Sequence, residues 1–409
     1  MQRAILHCDL NNFYASVECK LCPSLRGIPI AVGGDISNRH GIILAKNELA
    51  KAKGVKTAQT IHQAKMACPS LTVVPPHFDR YLYYSGRARK IFEEYTDCVE
   101  PFGMDESWLD VTGSSFLGSP QTIADALREQ FRSELGLTVS VGVSFNKVFA
   151  KLGSDLKKPD ATTVISKENF KEVVWPLPVD AMIGVGEKTA SLLTRHRIRT
   201  IGELACVPEG WLFAMLGKSG PMLRRYAAGQ ENSPVVPAEY VPPLKSIGRG
   251  ITTAQNLTND TEAMALIGAL CEKVGARLRG YGMYAGGLCV EVKTNRLTHH
   301  SFQCRLCPPC NKTRSLSKQA YALFASSYRW KDPIRAVSVR VFDLCSAQAA
   351  QAQPSLFAQE PGDLSPLEKT VDALQKRFGK DVLQPAVLLQ NRKVSLEQDF
   401  EITLPGSTI

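Results

Sequence analysis

Three carboxylates carry the first chemical signal. Asp9 closes a short apolar run, residues 4–8, that reads as a buried strand. Asp105 and Glu106 are adjacent, between two runs, 99–102 and 107–111, that read as strands joined by a tight turn. Carboxylates at strand ends can converge on one point, where they repel one another unless cations lie between them. Two Mg²⁺ ions would satisfy that arrangement, lowering the pKa of an attacking hydroxyl and neutralising a pyrophosphate leaving group. Taken singly, each carboxylate is equally a solvated turn residue, so the elements around them must decide.

Those elements read as mixed helix and strand. A helix follows Asp9 over 12–19, and a strand over 28–32 ends at Gly33-Gly34. Residues 42–67 read as mostly helical with a break at Gly54. After Pro75-Pro76 comes an amphipathic helix, 79–97, carrying Tyr81, Tyr84 and Phe92. Helix 120–135, an alternating strand 138–143 and helix 146–156 complete this part. Residues 178–229 are helical and punctuated by glycine, and 230–244 hold four prolines in fifteen positions, a linker composition. Residues 245–347 read as a separate α+β unit: helix 261–279, strand 286–293, helix 315–328, strand 335–342. An Ala/Gln/Pro-rich stretch, 346–366, reads as flexible, and a last helix spans 367–379.

Composition narrows the class. Of 409 residues 44% are hydrophobic and 22% charged, which excludes a wholly disordered or collagen-like chain. No run approaches the ~18 apolar residues of a membrane span, and Asp9 interrupts any leader-like start, so an intracellular protein is expected. The net charge of +10 is concentrated: residues 245–347 hold 15 Lys/Arg against 6 Asp/Glu, a net +9. Such segregation suits a nucleic-acid-facing domain. The twelve cysteines read as free thiols. Cys304, Cys307 and Cys310, with His299 or His300, could begin a zinc site, but Pro308-Pro309 splits the last pair, and a structural zinc usually shows two well-separated ligand pairs.

The segment Asp9-Leu10-Asn11-Asn12-Phe13-Tyr14-Ala15-Ser16-Val17-Glu18 resembles the opening signature of Y-family (translesion) DNA polymerases, in particular the DinB branch. Met104-Asp105-Glu106-Ser107-Trp108-Leu109-Asp110 is similar to the family's second signature. Val141-Gly142-Val143-Ser144-Phe145-Asn146-Lys147-Val148-Phe149-Ala150-Lys151, followed by Lys157-Lys158-Pro159, resembles the third, and Lys245-Ser246-Ile247-Gly248-Arg249 the start of the little finger. Four motifs in family order over residues 1–347 are specific. The resemblance implies an α+β multidomain right hand: palm at 1–11 and 78–168, fingers at 12–77, a helix-hairpin-helix thumb at 169–232, a linker at 233–244, a little finger at 245–347, and a tail at 348–409. It implies template-directed, error-prone addition of dNTPs to a primer 3′-OH by a cytoplasmic, nucleoid-associated monomer.

Roles follow residue by residue. Asp9, Asp105 and Glu106, with the Leu10 carbonyl, would hold two Mg²⁺ ions, or Mn²⁺ in their place. Tyr14 would be the steric gate against ribonucleotides. Phe13, Tyr14, Lys51 and Lys158 would meet the incoming nucleotide. Glu18 and Asp110 read as structural. In the fingers, where the family carries Ser-Tyr-Glu-Ala-Arg, this chain has Asn47-Glu48-Leu49-Ala50-Lys51. Glu48 replaces the Tyr, and Lys51 keeps the Arg charge without its bidentate fork; Lys46 is a possible compensation.

Residues 178–190 resemble a helix-hairpin-helix, with Gly184, Gly186 and Lys188 against a phosphate backbone. Lys245, Arg249, Arg296, Arg329 and Arg340 are the little-finger candidates for primer–template contact. Gln353-Pro354-Ser355-Leu356-Phe357 is similar to a bacterial sliding-clamp-binding pentapeptide, with Gln353, Leu356 and Phe357 as its anchors and Pro354 departing from the usual Leu. Two other readings compete. One is a silent polymerase relative tethering clamp to DNA, disfavoured by the intact carboxylates. The other is a palm-fold nucleotide cyclase, disfavoured by the duplex-binding features.

Overall fold

Chain order in the computed structural model runs β1 (Ile5–Leu10), α1 (Phe13–Leu21), β2 (Ile30–Gly33), β3 (Ile43–Lys46), α2 (Glu48–Ala52), α3 (Ile61–Ala67), β4 (Thr72–Val74) and α4 (Phe78–Glu93). It continues through β5 (Val99–Pro101), β6 (Glu106–Asp110), α5 (Pro120–Gln130), β7 (Val139–Ser144), α6 (Lys147–Leu156) and β8 (Thr162–Ile165). Four small helices follow after α7 (Phe170–Val173): α8 (Glu187–Arg195), α9 (Ile201–Cys206), α10 (Glu209–Leu216) and α11 (Ser219–Ala227). The described residues are 3–34, 41–350 and 365–379, with 382, 383 and 386. The clamp-like residues Gln353, Leu356 and Phe357 lie outside them. Two compact units part between Val241 and Pro242.

In the first unit β1 is the centre of a five-stranded sheet ordered β5-β6-β1-β7-β8. Every β1 residue is buried, because both sheet faces are covered. Alternation sends Leu6, Cys8 and Leu10 into a core with Val17, Tyr81, Ile91, Leu127 and Phe131. Ile5, on the other face, packs with Trp108 and with Ala150 of α6. Gly142 of β7 lets α6 lie close: a Cβ there would come within 1.9 Å of the Ala150 carbonyl oxygen.

A second, three-stranded sheet, β3-β2-β4, carries α2 and α3. Residues 43–46, expected as helix, form β3, paired antiparallel with β2; pairing overrides the helix propensity of Leu-Ala-Lys. Asn47 then caps α2 through a 3.0 Å bond from the Ala50 N–H, and Thr60 and Gln63 form a capping box on α3. Helices α7–α11 pack around Leu193, Ile201, Leu204, Leu212 and Leu223. The proline-rich stretch is not free along its whole length. Val235 is buried against Ile5 and Trp108, the Val236 N–H donates to Glu100, and the Ala238 N–H to the Asp97 carbonyl.

The second unit comprises β9 (Ser246–Leu257), α12 (Asp260–Gly280), β10 (Met283–Thr294), β11 (His299–Cys310), α13 (Thr313–Ser327), β12 (Ile334–Ser346), α14 (Ala347–Ala350) and α15 (Ser365–Phe378). Its sheet is ordered β11-β10-β12-β9 and antiparallel throughout. α12 and α13 cover one face through Leu266, Leu270, Val274, Leu316 and Phe324. β9 and β11 were not expected from sequence: they are rich in glycine, polar residues and proline. α15 joins this unit through Arg279, which binds Asp372 at 2.6 and 2.8 Å, while Glu368 accepts from the Thr313 N–H at the start of α13.

Candidate active site

The carboxylates meet because of register. Asp9 of β1 stands directly opposite Glu106 of β6, and the Asp105 carbonyl accepts from the Leu10 N–H at 2.9 Å. Asp105 sits just before β6, so the turn and the central strand end at the same place. Asp9 is only 6% exposed. Burial, with the charge of Glu106, raises its pKa to about 6 against the pull of Lys158 and Lys151. Burial and the charges of Asp9 and Glu106 raise Asp105 to about 7. Glu106 goes the other way. Burial alone would raise it, but His7 and Lys151 hold it near 2.

The compensating cations come from α6 and the loop after it. Lys151 Nζ lies 2.5 Å from Glu106 Oε2 and 3.9 Å from Asp9, and Lys158 Nζ lies 2.7 Å from Asp9 Oδ2 and 2.8 Å from Asp155. The Lys158 loop is held in place by Asn11, whose side-chain oxygen accepts from the Asp160 N–H at 2.8 Å, and by Arg128 and Arg132 on Asp160. Neither Asn11 nor His7 was among the sequence candidates. Each lies two residues from Asp9, His7 on β1 and Asn11 just past its end.

Tyr14, on α1, is wedged in an aromatic cluster. Its ring stacks on Tyr81 at 4.2 Å, meets Phe78 edge-on at 6.0 Å, and its hydroxyl donates to Met104 Sδ at 3.5 Å. Tyr81 and His77 are themselves bonded to buried Glu18, which is thus structural. Phe13 is 3% exposed and packs in the core, so its ring does not line the site. Lys51 is half-exposed and pairs with Glu48 at 3.6 Å, and Glu48 Oε1 also accepts from the Asn12 amide at 2.9 Å.

Hard oxygen donors of this kind suit Mg²⁺ or Mn²⁺. Two of the three carboxyls hold raised pKa values because they are buried and stand beside other negative charge, and among the described residues no lysine pairs with Asp105. The residues therefore fit a cation. As they stand, no three His, Cys, Asp or Glu side chains among the described residues are grouped to hold a metal ion; Lys151 and Lys158 occupy Glu106 and Asp9. Cys304, Cys307 and Cys310 lie along β11, where alternation points Cys307 to the face opposite the other two.

In the helical part of the first unit, Met182 and Val185 are buried while Gly184, Gly186 and Lys188 are exposed. Gly184 has φ +89°, the left-handed turn that leads into α8. In the second unit, Arg340 lies on the open face of the sheet, next to Cys289 of β10 and Gly248 of β9. Arg249 pairs with Val339 and so lies on the helix-bearing face. Lys245 and Arg329 are exposed, and Arg296 binds Asp332 at 2.9 Å. The same register places Lys293 and Arg305 on the open face with Arg340; neither was a sequence candidate.

Residues 8–155 match the impB/mucB/samB family and residues 244–356 its C-terminal domain. The chain is 45% identical to a DNA polymerase IV of Acetivibrio thermocellus, over 96% of this chain and 99% of that one. The chain belongs to the Y family of DNA polymerases. A DNA polymerase IV 1 of Bacillus subtilis is 34% identical over 97% of both chains. A solved Y-family DNA polymerase chimera shares the fold, with a TM-score of 0.74 at 22% identity, covering 84% of this chain and 99% of that one. The Y-family right hand expected from sequence is thus the fold of this chain. No helix among the described residues is long and apolar enough to cross a membrane.

Proposed function

We propose that this Y-family polymerase extends a primer on damaged template DNA at the carboxylate cluster of β1 and β6. The observation that carries the reading is the placement of Asp9 opposite Glu106, with Asp105 beside them and two of the three pKa values raised. Asp9, Asp105, Glu106 and the Leu10 carbonyl would hold two Mg²⁺ ions. When bound, these would acidify the primer 3′-OH and neutralise the pyrophosphate leaving group. Lys158, released from Asp9, would turn to the triphosphate of the dNTP. Tyr14, held rigid by Tyr81 and Phe78, would exclude a ribose 2′-OH by bulk.

The β1 sheet with α4–α6 acts as the palm, the β2 sheet as fingers, α7–α11 as thumb, and β9–β12 with their helices as little finger. Gly184, Gly186 and Lys188 would hold duplex backbone without reading sequence. Lys245, Arg296, Arg329 and Arg340, joined by Lys293 and Arg305, would add the salt-sensitive part of DNA binding. The protein would act as a monomer in the cytoplasm, tethered to the sliding clamp by Gln353, Leu356 and Phe357. Leu356→Ala with Phe357→Ala should abolish clamp binding, and intact binding would end that assignment.

The deciding experiment is primer extension on a defined template with Mg²⁺ and single dNTPs, wild type beside Glu106→Ala. Template-directed addition that vanishes in the variant is expected. Addition by both, or by neither, would overturn the reading.

A further inference from the structure

His7 is fully buried on β1 and shares a face with Asp9, two residues on. Its Nδ1 lies 2.8 Å from Ser154 Oγ of α6, and its ring meets Trp108 edge-on at 5.2 Å. The Trp108 indole is fixed in turn by donating to the Lys147 carbonyl at 3.0 Å. The remaining ring nitrogen, Nε2, faces Glu106 Oε2 at 3.2 Å, a long approach that falls short of a well-formed hydrogen bond. A buried polar atom left in this way needs a reason.

The proton arrangement follows from Ser154. Its single hydroxyl proton can go to the Lys151 carbonyl, 2.8 Å away, or to His7 Nδ1. In the first case Nε2 would face a carboxylate oxygen with a bare lone pair, in a buried setting where such opposition is costly. In the second, Nε2 carries the proton and can donate to Oε2. Burial keeps the imidazole neutral at physiological pH.

We propose that His7 is a positioning residue for Glu106: its Nε2–H anchors Oε2 from within the protein and leaves Oε1 to face the cation site. The inference rests on the reading of Glu106 as a cation ligand. Lys151 reaches the same Oε2, but it also has Asp9 and Asp155 within 3.9 Å and can leave when a cation enters. Among the described residues His7 has no other carboxylate partner, and it stays. Hydrogen bonds at reacting centres are often poorly aligned without ligands and tighten when the site is filled, as a small turn of the Glu106 carboxylate would do here.

The test uses the atom that donates. A glutamine amide can place its nitrogen where His Nε2 lies; an asparagine amide reaches only the Nδ1 position. Mn²⁺ is titrated by electron paramagnetic resonance into the full chain bound to dideoxy-terminated primer–template and dNTP. His7→Leu, His7→Asn, His7→Gln and Glu106→Ala are measured beside wild type, each first checked for a native melting transition. His7→Leu and His7→Asn should weaken Mn²⁺ binding roughly tenfold, the size expected of a residue orienting a metal ligand, and His7→Gln should stay within about threefold of wild type. Equal binding by the Asn and Gln variants would overturn the proposal even if His7→Leu failed to fold. Wild-type binding by His7→Leu would also overturn it. Unchanged Mn²⁺ binding by Glu106→Ala would instead overturn the reading of the site on which the proposal rests.

Discussion

The palm and the little finger both depend on charge, and they use it in opposite ways. Around Asp9 the charges are buried, close and interlocked: Lys158, Lys151, Glu106 and Asp155 form one network within 3.9 Å contacts. On the open face of the little-finger sheet the charges are spread across strands. Arg305 is exposed, and Arg340 approaches Glu291 loosely at 3.8 Å and lies over the Phe342 ring. Small residues lie beside Arg340 on this face, including Gly248, Gly250 and Ser338. A buried network is strained by its own like charges and relieved by a ligand at one point. A dispersed surface gains a little from each phosphate and depends on salt. Substitution should therefore be all-or-none in the palm and graded in the little finger.

Asp105→Asn should break the comparison most sharply. On the proposed reading of Asp105 as a cation ligand, extension should fall by roughly 10³-fold or more. Stability should move the other way. The Asp105 pKa is raised to about 7 in the folded chain, from an ordinary value of 3.8. The unfolded chain therefore loses this proton first as pH rises, and at neutral pH ionisation costs the folded state. A neutral Asn removes that cost, so the metal-free variant should be more stable than wild type at pH 7.5 by on the order of 2 kcal/mol. The gain should shrink as pH falls and vanish below about pH 3, where both states are protonated. Equal melting temperatures across that range would show that the carboxylates are not under mutual strain.

The two regions also differed in how far their sequence could be read. The palm was legible because its chemistry sits on strongly apolar strands: Asp9 and Glu106 were both expected at strand ends. That they are opposite one another is a matter of register, which depends on pairing across about a hundred residues. His7 stayed hidden because a lone histidine in an apolar run reads as core. The little finger was less legible. Half of its sheet went unseen: β9 carries glycines and β11 carries Pro308 and Pro309, and such strands exist because their neighbours pair with them. Without that register, Arg249 was grouped with Arg340, although they occupy opposite faces, and Lys293 and Arg305 were passed over. The linker was legible in composition only. Burial of Val235 pins its first half.

Tyr14→Ala should sharpen the palm side without touching its charges. Discrimination against ribonucleotides should fall by roughly 10²-fold, since exclusion by bulk is removed rather than a binding contact. Addition of dNTPs should persist. The measurement is single-nucleotide addition with dCTP and CTP opposite template G, and an unchanged sugar preference would move the gate elsewhere.

Lys293→Ala, Arg305→Ala and Arg340→Ala test the graded side. Each should weaken primer–template binding by a few-fold, equally for all sequences, and lower the slope of log affinity against log salt by about one. Arg249→Ala, on the helix-bearing face, should change the slope less than any of the three. A slope change as large for Arg249 as for Arg340 would mean that DNA does not lie on the open face.

The smallest effect is expected in the fingers, where the chain departs from its family. Glu48 stands in place of a tyrosine near which phosphates are expected, which appears unfavourable from sequence alone. The structure shows how that anion is tolerated: Asn12 donates to Oε1 and Lys51 pairs with Oε2. The pair is half-exposed, so its net energy is small. Its consequence is that Lys51 is partly spent on Glu48 and less available to a triphosphate. Glu48→Gln keeps the Asn12 contact and frees Lys51. The KM for dNTP should then fall about two- to fivefold with kcat unchanged, the pattern of a gain in uniform binding. Lys51→Ala in the same background should reverse the gain, because no freed cation remains. If Glu48→Gln lowers KM equally with and without Lys51, the benefit comes from removing the anion itself, and Lys51 has no part in holding the nucleotide.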